Sequence, residues 1–162
     1  MASRAILFMS VLTLGLVFCG GSLRAAECAA QDRTCILQMI EAESAQIDNT
    51  SWRDQTYREL AKTYASDGNM DTAIALIDKI ETPDTQAMTI RGIGMAAADL
   101  KLEKAAYDAV FAKLRARAEK ITHPPSYAIA LTYIAMAQAF AGDNEGAWKT
   151  ASEMENDALR HK

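Results

Sequence analysis

The sequence predicts an all-α chain of stacked antiparallel helical hairpins behind an N-terminal export leader. Three observations carry this. From Cys35 onward there is no alternating Val/Ile/Thr run of strand type. Apolar residues recur instead at spacings of three and four, the period of a helix with one buried face. One turn motif also occurs twice, as Ala-Ser-Asp-Gly-Asn-Met at 65–70 and Ala-Phe-Ala-Gly-Asp-Asn at 139–144. At 162 residues, half of them apolar, the chain is long enough for one domain with a core and too short for two comfortable ones.

Residues 1–25 read as a signal peptide and 26–162 as the folded domain. Arg4 gives a positive start, and Ala5–Cys19 is an uncharged, mostly apolar run. Its length fits the upper end of a signal-peptide core and falls short of the roughly 18–20 residues of a membrane-spanning helix. Gly20-Gly21-Ser22 breaks the helix, and Leu23 and Ala25 mark a small-residue cleavage position. An uncleaved anchor is the alternative. Cys19 does not read as a lipidation site, because bulky Phe18 precedes it where a small residue is needed. The expected location is periplasmic or secreted, with no membrane insertion once the leader is gone.

Cleavage removes Cys19 and leaves Cys28 and Cys35, an even pair that reads as a disulfide in an exported chain. On one continuous helix they would be about 10 Å apart, beyond the roughly 7 Å that a disulfide spans between Cα atoms. Cys28 must therefore lie ahead of a helix that begins near Cys35 and is capped by Asp32 or Thr34. A redox or metal-binding pair is disfavoured, since the spacing is not CxxC. Of 17 basic residues two leave with the leader, so 15 face 21 acidic ones and the formal charge is −6. That balance argues against nucleic acid as a partner.

Ile36, Met39, Ile40 and Ile47 give a first amphipathic helix, ended by Asn49-Thr50-Ser51, which also offers a cap for the next. Tyr57, Leu60, Ala61 and Tyr64 then share one helical face, and Ser66-Asp67-Gly68-Asn69 turns the chain with Gly68 in the left-handed position. A further helix carries Ala73, Ile77 and Ile80 inward, and Pro83 ends it. Ala61 and Ala73 are small enough to let the two backbones approach. In the last hairpin, Leu131, Ile134 and Ala135 precede the turn at Gly142, and Ala147, Ala151 and Met154 follow it. Between these two lies a degenerate unit. It has Ile90, Ile93, Gly94 and Ala97 on one helix, Ala106 and Val110 on the other, and Leu100-Lys101 in place of the turn glycine. Aligning Ala73, Ala106 and Ala147 leaves the second spacing longer than the first, and Ala105 aligns nearly as well as Ala106. The excess falls around 117–126, where an overlong helix is stopped by His123-Pro124-Pro125.

An aromatic, a Leu-small pair, a Tyr, a turn Gly, an Ala in the second helix and a closing Pro resemble the tetratricopeptide repeat, over roughly Ser51 to Glu155. The resemblance implies a short right-handed solenoid of about three hairpins with an N-terminal capping helix. It also implies protein or peptide binding along the concave surface formed by the first helix of each hairpin. On matching positions that surface presents Gln55, Arg58 and Lys62, then Met88, Arg91 and Met95, then Ile129, Thr132 and Met136. Cations mixed with flexible thioethers suit a peptide with acidic and apolar anchors. The middle unit, and Gln138 where an inward Tyr is expected, depart from the pattern.

No catalytic constellation is legible, and the expected function is binding without chemistry, metal or cofactor. His123 stands in a Pro-Pro loop and His161 in a charged tail, neither with a local partner. There is no GxSxG elbow, and Gly92-Ile93-Gly94 lies in a helical pattern without the lysine of a P-loop, so it reads as close helix packing. Glu41/Glu43 and Glu153/Glu155/Asp157 are two apart and do not share a helix face. Lys113, Arg117 and Lys120 form a basic stripe, read as a solvated face. The rival reading is a docking patch for an acidic partner or an anionic lipid surface. Two other functions are carried: a homo-oligomerising part of an envelope assembly, through Trp148 and Leu159, and, remotely, a hydrolase with an unrecognised site.

Overall fold

A computed structural model describes the backbone of residues 28–160 and the side chains of residues 28–154. The leader, its cleavage position, His161 and the side chains of Glu155, Asp157 and Leu159 lie outside the described residues. The described chain forms seven helices: α1 (Arg33–Ser44), α2 (Thr50–Ser66), α3 (Met70–Ile77), α4 (Pro83–Asp99), α5 (Lys104–Ala118), α6 (Pro124–Phe140) and α7 (Asn144–Arg160). They pack antiparallel, α2 with α3, α4 with α5 and α6 with α7, while α2, α4 and α6 lie side by side as one row. This neighbour packing is that of stacked hairpins. No helix among the described residues is long and apolar enough to cross a membrane.

Asp32 caps α1 by accepting from the Cys35 backbone N–H at 2.9 Å. Cys28 lies in the non-helical lead-in, which turns back where Asp32 N–H donates to Ala29 O, and is joined to Cys35 by a disulfide with Cα atoms 5.6 Å apart. The expected inward face of α1 is corrected. Leu37 and Ser44 are buried, whereas Met39 and Ile40 are exposed and Ile47 lies beyond the helix end. The helix stops at Ser44, and Ser44 Oγ turns back onto the Ile40 carbonyl at 2.6 Å. This uses its hydroxyl inside the helix.

In α2, capped by the Asn49 side chain, Tyr57, Leu60, Ala61 and Tyr64 are all buried. Gly68 takes φ +80° and Gly142 φ +83°, and both close a helix in the same way. Gly68 N–H donates to Ala65 O and Asn69 N–H to Tyr64 O; Gly142 N–H donates to Ala139 O and Asp143 N–H to Gln138 O. These paired bonds satisfy carbonyls that the helix end leaves open.

Three expectations about hairpin boundaries are corrected. Pro83 does not end α3, which stops at Ile77; it occupies the first turn of α4, where a missing N–H costs nothing. Pro124 and Pro125 likewise open α6 instead of stopping α5. Ala106 is exposed, and Tyr107 and Val110 are the inward residues of α5, Tyr107 stacking on Phe111 with ring centroids 6.2 Å apart. Tyr107, the fourth residue of α5, stands where Ala73 and Ala147 stand in α3 and α7. In α7, Ala151 is exposed and Thr150 is buried in its place.

The uneven repeat lengths now resolve. The step from Pro83 at the start of α4 to Pro124 at the start of α6 is longer than the step from Thr50 to Pro83. Nearly all of the excess is in α5, which has 15 residues against 8 in α3. The remainder lies in the turn before α5, which starts three positions after Lys101, whereas α3 and α7 start two positions after their turn glycines. The insertion is therefore two extra turns of α5, the overlong helix expected, which ends at Ala118 ahead of the prolines.

The degenerate turn keeps the shape of the others without their glycine. Lys101 adopts φ +49°, a left-handed conformation in which Cβ crowds the following carbonyl. Replacing Lys101 with glycine is expected to stabilise the fold by about 0.5–1 kcal/mol, the relief being partly offset by glycine's greater chain entropy. Urea unfolding would register it as a higher midpoint with an unchanged slope.

Candidate functional site

The row of α2, α4 and α6 positions the candidate site. Between α2 and α4 lies an open pocket of about 390 Å³ whose lining includes Arg58, Glu59, Lys62, Met88, Arg91 and Met95. Five of the nine residues expected along the concave surface thus meet around one pocket, and Gln55 and Ile129 are not part of its lining. Thr132 and Met136 do not join it; they lie on α6, where Thr132 Oγ1 donates to the Ala128 carbonyl and approaches Met154 Sδ at 3.9 Å.

Helical spacing explains the gathering. Arg58 and Lys62 are four apart on α2, while Met88, Arg91 and Met95 run at three and four on α4, so both sets share a face. Gly92 allows the close approach. A Cβ there would come within 2.5 Å of Lys62 Cγ, so the glycine lets the lysine stem lie along α4. Gly94 does the same toward α6, where a Cβ would fall 2.9 Å from the Ala137 Cβ. The two glycines serve helix packing, as their helical context suggests.

The three cations of the pocket are held differently. Glu59 accepts from Lys62 Nζ at 2.7 Å and pairs with Arg58 at 2.8 Å. These contacts, the Lys62 hydrogen bond foremost, hold the Glu59 carboxyl below its ordinary range. Arg91 makes no salt bridge among the described residues and rests its guanidinium 5.4 Å from the Tyr133 ring centroid. Tyr133 Oη in turn donates to Met88 Sδ at 3.4 Å. Arg91 is thus pre-oriented by an aromatic face while its N–H groups stay available. Tyr133 completes the site from α6; nothing in its spacing with the other residues distinguishes it from a core aromatic.

The basic stripe has a different use from a bare solvated face. Lys113 pairs with Asp71 at 2.5 Å, Arg117 with Asp78 at 2.9 Å and Lys120 with Asp78 at 3.3 Å. These pairs join α5 and Lys120, which follows it, to α3 and its C-cap Asp78, and the Lys113 and Lys120 side chains stay largely exposed.

His123 does have a local partner, contrary to expectation. As N-cap of α6, it places Nδ1 2.6 Å from Ser126 Oγ, and Ser126 donates its only proton to Asp84 of α4. The serine lone pair then accepts from a His123 Nδ1–H. The order Asp84–Ser126–His123 has serine in the middle and fully buried. In nucleophilic catalysis the histidine must stand between acid and serine, so this cluster works as a clasp between the starts of α4 and α6. Gln138, in the place of an inward tyrosine, is buried with Thr150, which donates to its Oε1 at 2.8 Å.

Among the described residues no group of three or more His, Cys, Asp or Glu is placed to hold a metal ion. No protein family, curated protein or solved structure matches this chain.

Proposed function

We propose that the stacked hairpins form a short right-handed solenoid of tetratricopeptide kind in the periplasm, where it binds an acidic, apolar-anchored peptide segment of a partner protein and performs no chemistry. The observation that carries this reading is the convergence of Arg58, Lys62, Arg91, Met88 and Met95 on one open pocket between α2 and α4. Thioethers adapt to different apolar anchors, and guanidinium groups match carboxylates in geometry. The leader and the Cys28–Cys35 pair support an oxidising, exported setting.

A fluorescently labelled library of extended peptides carrying Asp or Glu beside Leu or Met tests it by anisotropy. Arg91→Glu is expected to weaken binding by about tenfold or more, the scale of a lost charge-assisted contact. Glu59→Gln is expected to tighten it several-fold, because Arg58 and Lys62 are then released to the ligand. Absence of binding across the library, or binding indifferent to both substitutions, would overturn the proposal.

A further inference from the structure

The exposed large apolar side chains among the described residues are Met39, Ile40, Trp52, Ile129, Met136, Phe140 and Trp148. None belongs to α3, α4 or α5; they sit on the two ends of the stack. The end formed by α6 and α7 is the more unusual. The 17 residues of α6 include no charged side chain, in a chain that is 23% charged. Its exposed residues are nonetheless many, among them Ala128, Ile129, Thr132, Met136, Ala139 and Phe140.

The repeat says what this face is. Laying α4 on α6, with Pro83 on Pro124, superposes Ala87 on Ala128, Arg91 on Thr132, Gly94 on Ala135 and Met95 on Met136. Arg91 and Gly94 are the α4 positions that meet Tyr133 and Ala137 of α6. In α7, Trp148 stands where Ile74 stands in α3, each the fifth residue of its helix. Ile74 is 3% exposed and Trp148 is 73% exposed. On α6 the last hairpin therefore leaves open the surface that α4 turns to the next hairpin; Trp148 borders it as an exposed apolar side chain, whereas the equivalent residue of the middle hairpin, Asp108, is exposed but charged.

We infer that a second copy of this chain covers it, α6 packing antiparallel on α6 about a two-fold axis. The small residues of the face, Ala128, Thr132, Ala135 and Ala139, fall at i, i+4, i+7 and i+11, a spacing that reads the same in both directions. About an axis between residues 133 and 134, Ala128 meets Ala139 of the other copy and Thr132 meets Ala135. On the flank, Ile129 then comes alongside Phe140. A self-complementary patch is what a two-fold interface requires. The uncharged face also lets two like-charged chains approach without local repulsion. Two helices side by side, roughly 25 Å long and 10 Å apart, present about 500 Å² in projection, the scale of the roughly 800 Å² of accessible surface per partner in a stable complex. The face is separate from the α2–α4 pocket, so dimerisation and peptide binding can fail independently.

Sedimentation velocity on the purified leader-free chain tests the inference. A dimer is expected at about 10 µM, within the range typical of interfaces this size. Met136→Glu, at a side chain already 42% exposed, should give a monomer with unchanged helical circular dichroism. Trp148→Ser should weaken association by about tenfold, as loss of a peripheral aromatic does. Mixing Ala128→Cys chains with Ala139→Cys chains should yield a disulfide-linked pair that neither forms alone. A wild-type monomer at that concentration, a Met136→Glu dimer, or open-ended oligomers from head-to-tail stacking would each overturn it.

Discussion

Replacing Asp54 with alanine is expected to lower the stability of the fold by about 2–4 kcal/mol, the cost of removing a buried acceptor of two backbone N–H bonds. Asp54 lies one turn into α2 and is completely buried. Its Oδ1 accepts from the Glu81 N–H at 3.2 Å and its Oδ2 from the Thr82 N–H at 2.8 Å. Thr82 caps α4 without a side-chain bond of its own, so Asp54 fixes from outside the point at which the second hairpin begins. Arg53 reinforces the joint, pairing with Glu81 at 2.6 Å while donating to the Ile47 carbonyl at 3.1 Å. One side chain thus sets where α4 starts relative to α2, and through it the face that Arg91 and Met95 present to Arg58 and Lys62.

Asp54→Asn separates acceptance from packing. The amide has nearly the same shape, but only one of its two terminal atoms can accept, and the other directs N–H toward N–H. It should therefore lose at least half as much stability as the alanine variant. For a domain of this size the alanine change corresponds to roughly 5–15 °C in midpoint. A loss below about 1 kcal/mol in Asp54→Ala would show that water replaces the carboxyl without penalty, and the account of the joint would fail.

Asp54 also marks where sequence reading stops. The hairpins were legible because their signals are local: three-and-four spacing, two turn glycines, and a disulfide restricted by helix rise. Tyr57, Leu60, Ile90, Ile93 and Ile134 are buried as their periodicity requires. A prolyl residue between helices has two readings, the end of one helix or the first turn of the next, and local sequence does not choose between them; at Pro83 and Pro124 the second applies. Met39 and Ile40 fit a helical face but are exposed, because Leu37 alone of that turn meets the core. Asp54, Ser126 and Tyr133 act through residues 27 or more positions away, and no spacing rule reaches so far. Of the candidate site, the α2 and α4 residues could be read from the repeat register. Tyr133, and the separation of Thr132 and Met136 from the pocket, depended on how far α6 lies from α2.

The second large effect is expected at the seam between α4 and α6, which is the most extensive helix contact in the fold. At Gly94 a Cβ would stand 2.9 Å from the Ala137 Cβ, with Leu114 Cδ1 at 3.7 Å and Phe111 Cε1 at 3.8 Å behind it. Ala137 and Leu114 are fully buried, so neither can swing into solvent. Gly94→Ala gains about 1 kcal/mol of helix propensity, which masks part of the clash and makes alanine a poor probe. Valine recovers less of that propensity and adds two methyl groups to a filled space, so Gly94→Val should destabilise by about 2–3 kcal/mol. Ala137→Gly opens room on the facing helix, and the double variant should recover at least about 1 kcal/mol beyond additivity in a thermodynamic cycle. Simple additivity would mean that the helices move apart freely and that glycine is not what sets their distance. Ala135, the counterpart of Gly94 one hairpin later, is only half-buried and lies on the open face, so enlarging it should leave the monomer stable and act on association instead. A seam that destabilises at Gly94 and only dissociates copies at Ala135 is what one helix face, used once inside the chain and once between chains, would produce.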